Sequence, residues 1–259
     1  MEYIHRTLER KFLKMNRVFK AILVTGARQV GKTTMLKHLA EGEGRTFVSM
    51  DDPRNRELAN TDPRLFFQLY KPPILIDEAQ KAPGLFEYIK QMCDESEEKG
   101  LFWLTGSESK KLLKEAGDSL AGRICILRMY SLSWKEKQGI TEIANLKYTL
   151  EDFIEREIIF PPCDINQIYE YIWHGGMPGS LTFDMEQLYS YYASYIETYL
   201  IRDAVDDNGI ADTAGFRKVL AASAAFIGNL VNYSDIAAAG GVSVPTAKSW
   251  IKILQNMGI

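Results

Sequence analysis

The chain has 259 residues, 46% hydrophobic and 25% charged, which leaves room for one sizeable domain with one or two small ones and excludes a disordered, collagenous or disulfide-dense chain. Thirty-one basic residues against 34 acidic give a formal charge of −3, so the whole-molecule basic signature of a dedicated nucleic-acid binder is absent. Cys93, Cys125 and Cys163 are too few and too far apart for a zinc knuckle or a disulfide framework, no apolar run approaches the roughly 20 residues that span a bilayer, and the start lacks a secretory signal pattern; the expected setting is cytoplasmic.

At the amino end, Ile4, Leu8, Phe12, Met15 and Phe19 recur at helical spacing among Arg6, Arg10, Lys11, Lys14, Arg17 and Lys20. A basic amphipathic helix can lie on a membrane, but one-sided helices usually face a core, and the expectation here is a helix packed on the sheet that follows. Five apolar runs come next: AILVT (21–25), RTFVSM (45–50), PILID (73–77), LFWLTG (101–106) and RICILRM (123–129). Runs without regular polar alternation are what parallel strands covered on both faces look like. Helical stretches at 33–41 and 84–98 lie between them, so a repeated βαβ rhythm predicts a doubly wound α/β domain, with the core over residues 1–135.

Beyond Leu132 the strand pattern stops. Residues 136–205 form a separate helical piece, including the long stretch Glu186 to Arg202; Tyr189, Tyr191, Tyr192, Tyr195 and Tyr199 lie there at helical spacing, which favours packing over base stacking. A third segment, 206–259, begins at the DDNG break. Ala214 to Leu230 reads as a helix, Ser234 as the N-cap of another running through Ala239, Gly240 and Gly241 as a turn, and Ser243 as the N-cap of a last helix to about Met257. This is a helix-turn-helix rhythm. Its Arg217, Lys218, Lys248 and Lys252 are balanced by Asp206, Asp207, Asp212 and Asp235, so DNA contact through Thr246, Lys248, Ser249 and Lys252 would draw little on phosphate neutralisation.

The residues that carry chemistry begin at GARQVGKTT. Gly26, Ala27, Arg28, Gln29, Val30, Gly31, Lys32, Thr33 and Thr34 stand between an apolar strand and a helical stretch with P-loop spacing. The glycines let consecutive backbone N–H groups curl into an anion nest at the positive end of a helix. Lys32 supplies a point charge for the β and γ phosphates, and Thr33 a hydroxyl for Mg²⁺. In PILIDEAQ a buried strand delivers Asp77 and Glu78 to its carboxyl end, where ligands of parallel sheets bind; Asp77 is placed to hold Mg²⁺ through water and Glu78 to polarise an attacking water. A glutamate there favours hydrolysis over transfer to a second substrate, and the lack of an Asn-Lys-x-Asp segment favours ATP over GTP. LFWLTGS ends in Thr105 and Ser107, either one positioned for the γ-phosphate or the water, and Arg123 precedes the fifth strand, from which it would reach a phosphate in cis or in a neighbouring subunit.

These segments, with DDP (51–53), IDEAQKAPGLFEYIK, SLAGRI, SLSWKE, GGMP (175–178) and YIETYLIRD, together resemble prokaryotic AAA-type P-loop ATPases over essentially the whole chain. The resemblance implies a three-layer α/β P-loop NTPase sandwich with strand order 5-1-4-3-2, a helical lid over 136–205, a helix-turn-helix or winged-helix module over 206–259 that stops before its wing, and a further carboxyl-terminal domain missing from this sequence. It implies phosphate and Mg²⁺ ligation by Lys32 and Thr33, metal-holding and water-activating roles for Asp77 and Glu78, a sensor at Ser107 or Thr105, and a finger at Arg123. Gly176, Met177 and Pro178 resemble a short lid motif that covers adenine, which would let His174 to Pro178 sense the nucleotide; without the resemblance GGMP reads as a turn. The function implied is Mg²⁺-dependent ATP hydrolysis working a conformational switch. Two other readings stay open: a nucleic-acid-binding regulator with structural nucleotide, and an oligomeric motor using Arg123 in trans. Beyond ATP, the implied partners are double-stranded DNA or a protein at the helix-turn-helix and further copies of the chain, with no membrane.

Overall fold

Apolar runs that alternate between two buried faces build the centre of the molecule. The computed structural model describes residues 3–107, 110–141, 147–159 and 162–259, and its strands are β1 (Ala21–Gly26), β2 (Thr46–Ser49), β3 (Ile74–Asp77), β4 (Phe102–Ser107) and β5 (Ile124–Arg128). All are parallel, in the order β2-β3-β4-β1-β5, the expected 5-1-4-3-2 arrangement seen from the other edge. Central β1 is buried along its whole length. Because successive side chains point to opposite faces, Ile22, Val24, Leu75 and Trp103 pack on one side with Phe12, Met35 and Leu36, and Leu23, Ile74, Ile76 and Leu104 pack on the other with Phe66, Phe86 and Ile89. Truncating any one of these to alanine would cost about 2–5 kcal/mol, through lost transfer energy and the cavity left behind.

The amino-terminal helix, Thr7–Asn16, lies on this sheet as its apolar stripe requires. Phe12 is fully buried with its ring edge-on to Trp103, 4.7 Å between centroids, while Arg10, Lys11 and Lys14 remain in solvent. Helices Lys32–Ala40 and Leu85–Glu95 match the two helical stretches expected between strands.

Farther along, the helix Met185–Tyr195 continues through a π-helical turn, Ile196–Ile201, into Arg202–Asn208, and ends where Gly209 turns left-handed at φ 67°. Tyr195 is buried, and Tyr191, Tyr192 and Tyr199 pack around it against the sheet's first face; Tyr189 stays exposed. The tyrosine row is thus mostly packing, as its spacing suggests.

Residues 213–256 hold three helices, Thr213–Ala225, Tyr233–Gly240 and Val244–Asn256, joined by Phe216, Val219, Ile236, Ile253 and Leu254. The middle helix begins one step before the expected cap. Asn232 rather than Ser234 is the N-cap, its side-chain oxygen accepting from the N–H groups of Ser234 and Asp235; asparagine caps at least as well as serine, and the earlier cap adds Tyr233 and Ser234 to the helix. Ser243 caps the last helix as expected, and the first ends at Ala225 rather than Leu230. No strand follows β5 among the described residues. Among the described residues no helix is long and apolar enough to cross a membrane.

Candidate active site

The loop from Gly26 to Gly31 leaves the carboxyl end of β1 and turns directly into the helix Lys32–Ala40. Both glycines are required by the turn: a Cβ on Gly26 would lie 2.1 Å from the Met129 carbonyl oxygen, and Gly31 adopts φ 97° as the N-cap. The first turn of that helix has backbone N–H groups without intrahelical acceptors, which makes it an anion site. Lys32 Nζ donates to the carbonyls of Gly26 at 3.0 Å and Ala27 at 2.7 Å, so the ammonium lies inside the loop's curve. Burial lowers its pKa to about 8; Glu78 pulls it upward and Arg28 adds to the depression.

Beside the loop, β3 ends in the two acids. Asp77 is buried, and its Oδ1 accepts from Thr33 Oγ1 at 2.5 Å and from Thr105 Oγ1 at 2.6 Å. Thr105 in turn accepts from the Glu78 backbone N–H at 3.1 Å. Glu78 sits in the left-handed region, φ 57°, a conformation that costs a non-glycine residue roughly 1–3 kcal/mol and persists only when neighbours enforce it. Thr105 supplies one such constraint, and Gln80 another: its Nε2 donates to Glu78 Oε2 at 2.5 Å. Ser107 accepts from Gln80 Nε2 at 3.2 Å. Thr105 therefore orders the acids, and Ser107 reaches Glu78 through Gln80.

A cleft of about 650 Å³ opens over this arrangement, within the roughly 300–1,000 Å³ usual for small-molecule sites. Arg28, Gln29, Gly31, Lys32, Thr33, Thr34 and Glu78 line it, and so do Tyr3, Ile4, Leu132, Pro178 and Tyr199. Pro178 reaches the cleft because Gly176 packs on Leu132: the Leu132 N–H donates to the Gly176 carbonyl at 2.7 Å, and a Cβ on Gly176 would lie 2.4 Å from Leu132 O. Of GGMP, Pro178 lines the cleft.

Several cleft residues have no local signal in the sequence. Tyr3 and Ile4 precede the first helix, and Arg6 reads as one more cation on a basic face. Arg6 is in fact buried, donating to the carbonyls of Val30 at 2.8 Å and Tyr130 at 2.6 Å with Glu136 beside it at 3.4 Å. From the helical segment, Asp203 pairs with Arg28, Tyr195 donates to the Arg28 carbonyl at 3.2 Å, and the Gln29 amide bridges Tyr191 and Tyr199.

The fold carries Arg123 away from the site. It stands at the amino end of β5, where its carbonyl accepts from Ala21 at the start of β1, and its guanidinium donates to Asp94 at 2.5 and 2.9 Å. The P-loop leaves the opposite end of six-residue β1, about 17 Å away at ~3.3 Å per residue. Reach in cis is excluded by that length of strand.

Residues 18–137 match the family described as AAA domain, and residues 165–259 match a domain of unknown function, DUF8612. Among curated proteins the chain is similar to the uncharacterized proteins Rv2008c of Mycobacterium tuberculosis and Mb2031c of Mycobacterium bovis, each 25% identical over 237 residues, 91% of this chain and 47% of theirs. The chain thus spans about half the length of the curated relatives it matches. Among solved structures it is similar to the Walker-type ATPase Paby2304 of Pyrococcus abyssi, with TM-score 0.57 and 14% identity over 98% of this chain and 90% of that one, a likeness of fold alone. With the glycine-framed loop at the end of β1, the two acids ending β3 and this strand order, residues 18–137, which match the AAA domain, have the α/β fold of a P-loop NTPase.

Proposed function

We propose that the protein binds ATP with Mg²⁺ and hydrolyses it, and that contacts between the core (1–135) and the helical lid (136–205) change with the nucleotide, a change passed on to the helix-turn-helix module (206–259). The observation that carries this reading is the shared carboxylate: Thr33 and Thr105 both donate to Asp77 Oδ1, next to Glu78 and at the foot of the loop that holds Lys32. A hydroxyl and a carboxylate are hard oxygen donors that suit Mg²⁺, and Thr33 and Asp77 are the residues that would hold it. When bound, the ion neutralises charge on the β and γ phosphate oxygens.

The chain's own residues do the rest. N–H groups of the loop and first helical turn hold the phosphates, and Lys32 exchanges its two loop carbonyls for phosphate oxygens. Tyr3, Ile4, Leu132 and Pro178 offer the base an apolar slot. Glu78 accepts a hydrogen bond from water and turns its lone pair toward the γ phosphorus; a bond forms from water oxygen to phosphorus as the bond to the β–γ bridging oxygen breaks, and the proton passes to the carboxylate.

Glu78→Gln tests this. It should keep ATP binding by calorimetry and lose turnover by about 10²–10⁴-fold, the contribution of a positioned base. Wild-type turnover in that variant rejects Glu78 as the base. Running the assay with and without duplex DNA separates the switch from a nucleic-acid regulator, since stimulation by DNA would assign a partner to the exposed Lys248, Ser249 and Lys252.

A further inference from the structure

Gln80 lies two residues past Glu78, in the short turn Ala79–Lys81 that follows β3. Its amide nitrogen donates both hydrogens, one to Glu78 Oε2 at 2.5 Å and one to Ser107 Oγ at 3.2 Å. The amide oxygen is buried with no partner. Turning the amide over would set its oxygen against the Glu78 carboxylate, acceptor against acceptor, so the carboxylate dictates the orientation. Gly106 makes the arrangement possible by space alone: a Cβ there would lie 2.8 Å from Gln80 Oε1 and 2.3 Å from Leu112 Cδ2. A glycine near the end of a buried strand and an unpaired buried oxygen are both unfavourable for stability, and both accompany the placing of this amide between Glu78 and the end of β4.

We propose that Gln80 is a positioning residue for Glu78, coupling it to Ser107 at the end of β4; the proposal rests on the reading that Glu78 orients the attacking water. The Glu78 backbone is held by Thr105 and Oε2 by Gln80, which fixes the plane of the carboxylate and presents Oε1 to water. Ser107 sits on the far side of the same amide. A displacement of β4's last residue when a γ-phosphate arrives or leaves is therefore felt at the carboxylate through a single side chain.

The test compares the full chain with Gln80→Leu, Ser107→Ala and the double variant, reading kcat by steady-state ATP turnover and ATP affinity by calorimetry. Gln80→Leu is expected to lower kcat about 10- to 100-fold with affinity within about threefold, because misorientation of a base by an ångström costs rate and not binding. Ser107→Ala should lose less, and the double variant should be no worse than Gln80→Leu, since the two act through one bond chain. Unchanged kcat in Gln80→Leu overturns the proposal, as does a parallel collapse of affinity, which would make the residue merely structural. A double variant whose loss is the product of the two single losses overturns the link to Ser107. Glu78→Gln run alongside separates the two layers: if it retains turnover, both readings fall, whereas an inactive Glu78→Gln beside a fully active Gln80→Leu removes only this one.

Discussion

Asp203 grips the apex of the P-loop: its Oδ2 accepts from Arg28 Nε at 2.7 Å and its Oδ1 from the same guanidinium at 3.2 Å, across 175 positions of sequence. Burial alone would lower the Arg28 pKa, but the bonds and charge of Asp203 outweigh it and the net shift is upward. The contact joins the nucleotide loop to the helix Arg202–Asn208, which is continuous with the tyrosine-rich helix before it. If residues 136–205 act as the proposed lid, this charged fork ties the lid to the loop, and a phosphate competing for the arginine would select between two arrangements.

Asp203→Asn tests that competition. Removing one charge from a partly buried bidentate pair should cost about 1–2 kcal/mol of stability. It should also release Arg28 toward the phosphates, so ATP affinity should rise a few-fold while the melting temperature falls. Lower stability together with weaker ATP binding would show that Asp203 only shapes the loop and does not compete with the nucleotide.

Lys32 carries a prediction in pH. Its pKa in the free protein is about 8, lowered by burial, and a phosphate replacing the two carbonyls must raise it. The complex then holds more protons than the free protein between the two values, so the contribution of Lys32 to binding is fully present below pH 8 and is lost as pH rises above it, by up to about tenfold in affinity per pH unit. Calorimetry at pH 8 in buffers of different ionisation enthalpy should register proton uptake on ATP binding. The same uptake in Lys32→Met would assign the proton to another group.

Much of this site is legible without coordinates because its parts are local in sequence. Gly26 to Thr34 needs only a strand before it and a helix after it, and Asp77 and Glu78 need only the end of an apolar run; strands buried on both faces declare themselves by the same apolar runs. What escapes is what depends on distant pairing. Arg6 shares its spacing with solvent-exposed cations, and only the Val30 and Tyr130 carbonyls, 24 and 124 positions away, make it a core residue. Asp203 is one acid among many until Arg28 meets it. Arg123 precedes its strand, and in a parallel sheet that already sets it at the end away from the loop; the pairing of β5 with β1 bears out the parallel arrangement that makes this so.

Arg6 and Glu136 are both buried, and Glu136 also accepts from the Thr7 N–H at 2.8 Å and the Ser133 N–H at 2.9 Å. Burial pushes the Glu136 pKa up, while the Thr7 hydroxyl, these N–H groups and Arg6 pull it down, and the net is downward. A depressed carboxylate contributes stability that is present above its ordinary pKa and is lost as pH falls through the folded value. Arg6→Met leaves that charge buried without its cation and should cost about 3–5 kcal/mol by urea denaturation. Glu136→Gln, which keeps the shape, should restore part of the loss in the double variant. A cost of Arg6→Met below about 1 kcal/mol would mean that water reaches the pair.

Arg123, on the far end of the sheet and hydrogen-bonded to Asp94, can serve a phosphate only in a second copy of the chain. That makes its role a matter of concentration. If neighbouring copies bring Arg123 over each other's P-loops, Arg123→Ala lowers turnover at high protein concentration and has little effect on dilute protein. Lys32→Ala lacks a working loop but keeps its arginine, and Arg123→Ala has the reverse defect, so a mixture forms some sites with an intact loop on one copy and an intact arginine on the next. Turnover of the mixture should therefore exceed the weighted mean of the two variants and pass through a maximum near equal proportions. A flat response at every ratio, in protein shown by sedimentation to associate, would leave Arg123 as the partner of Asp94 and assign hydrolysis to each chain alone.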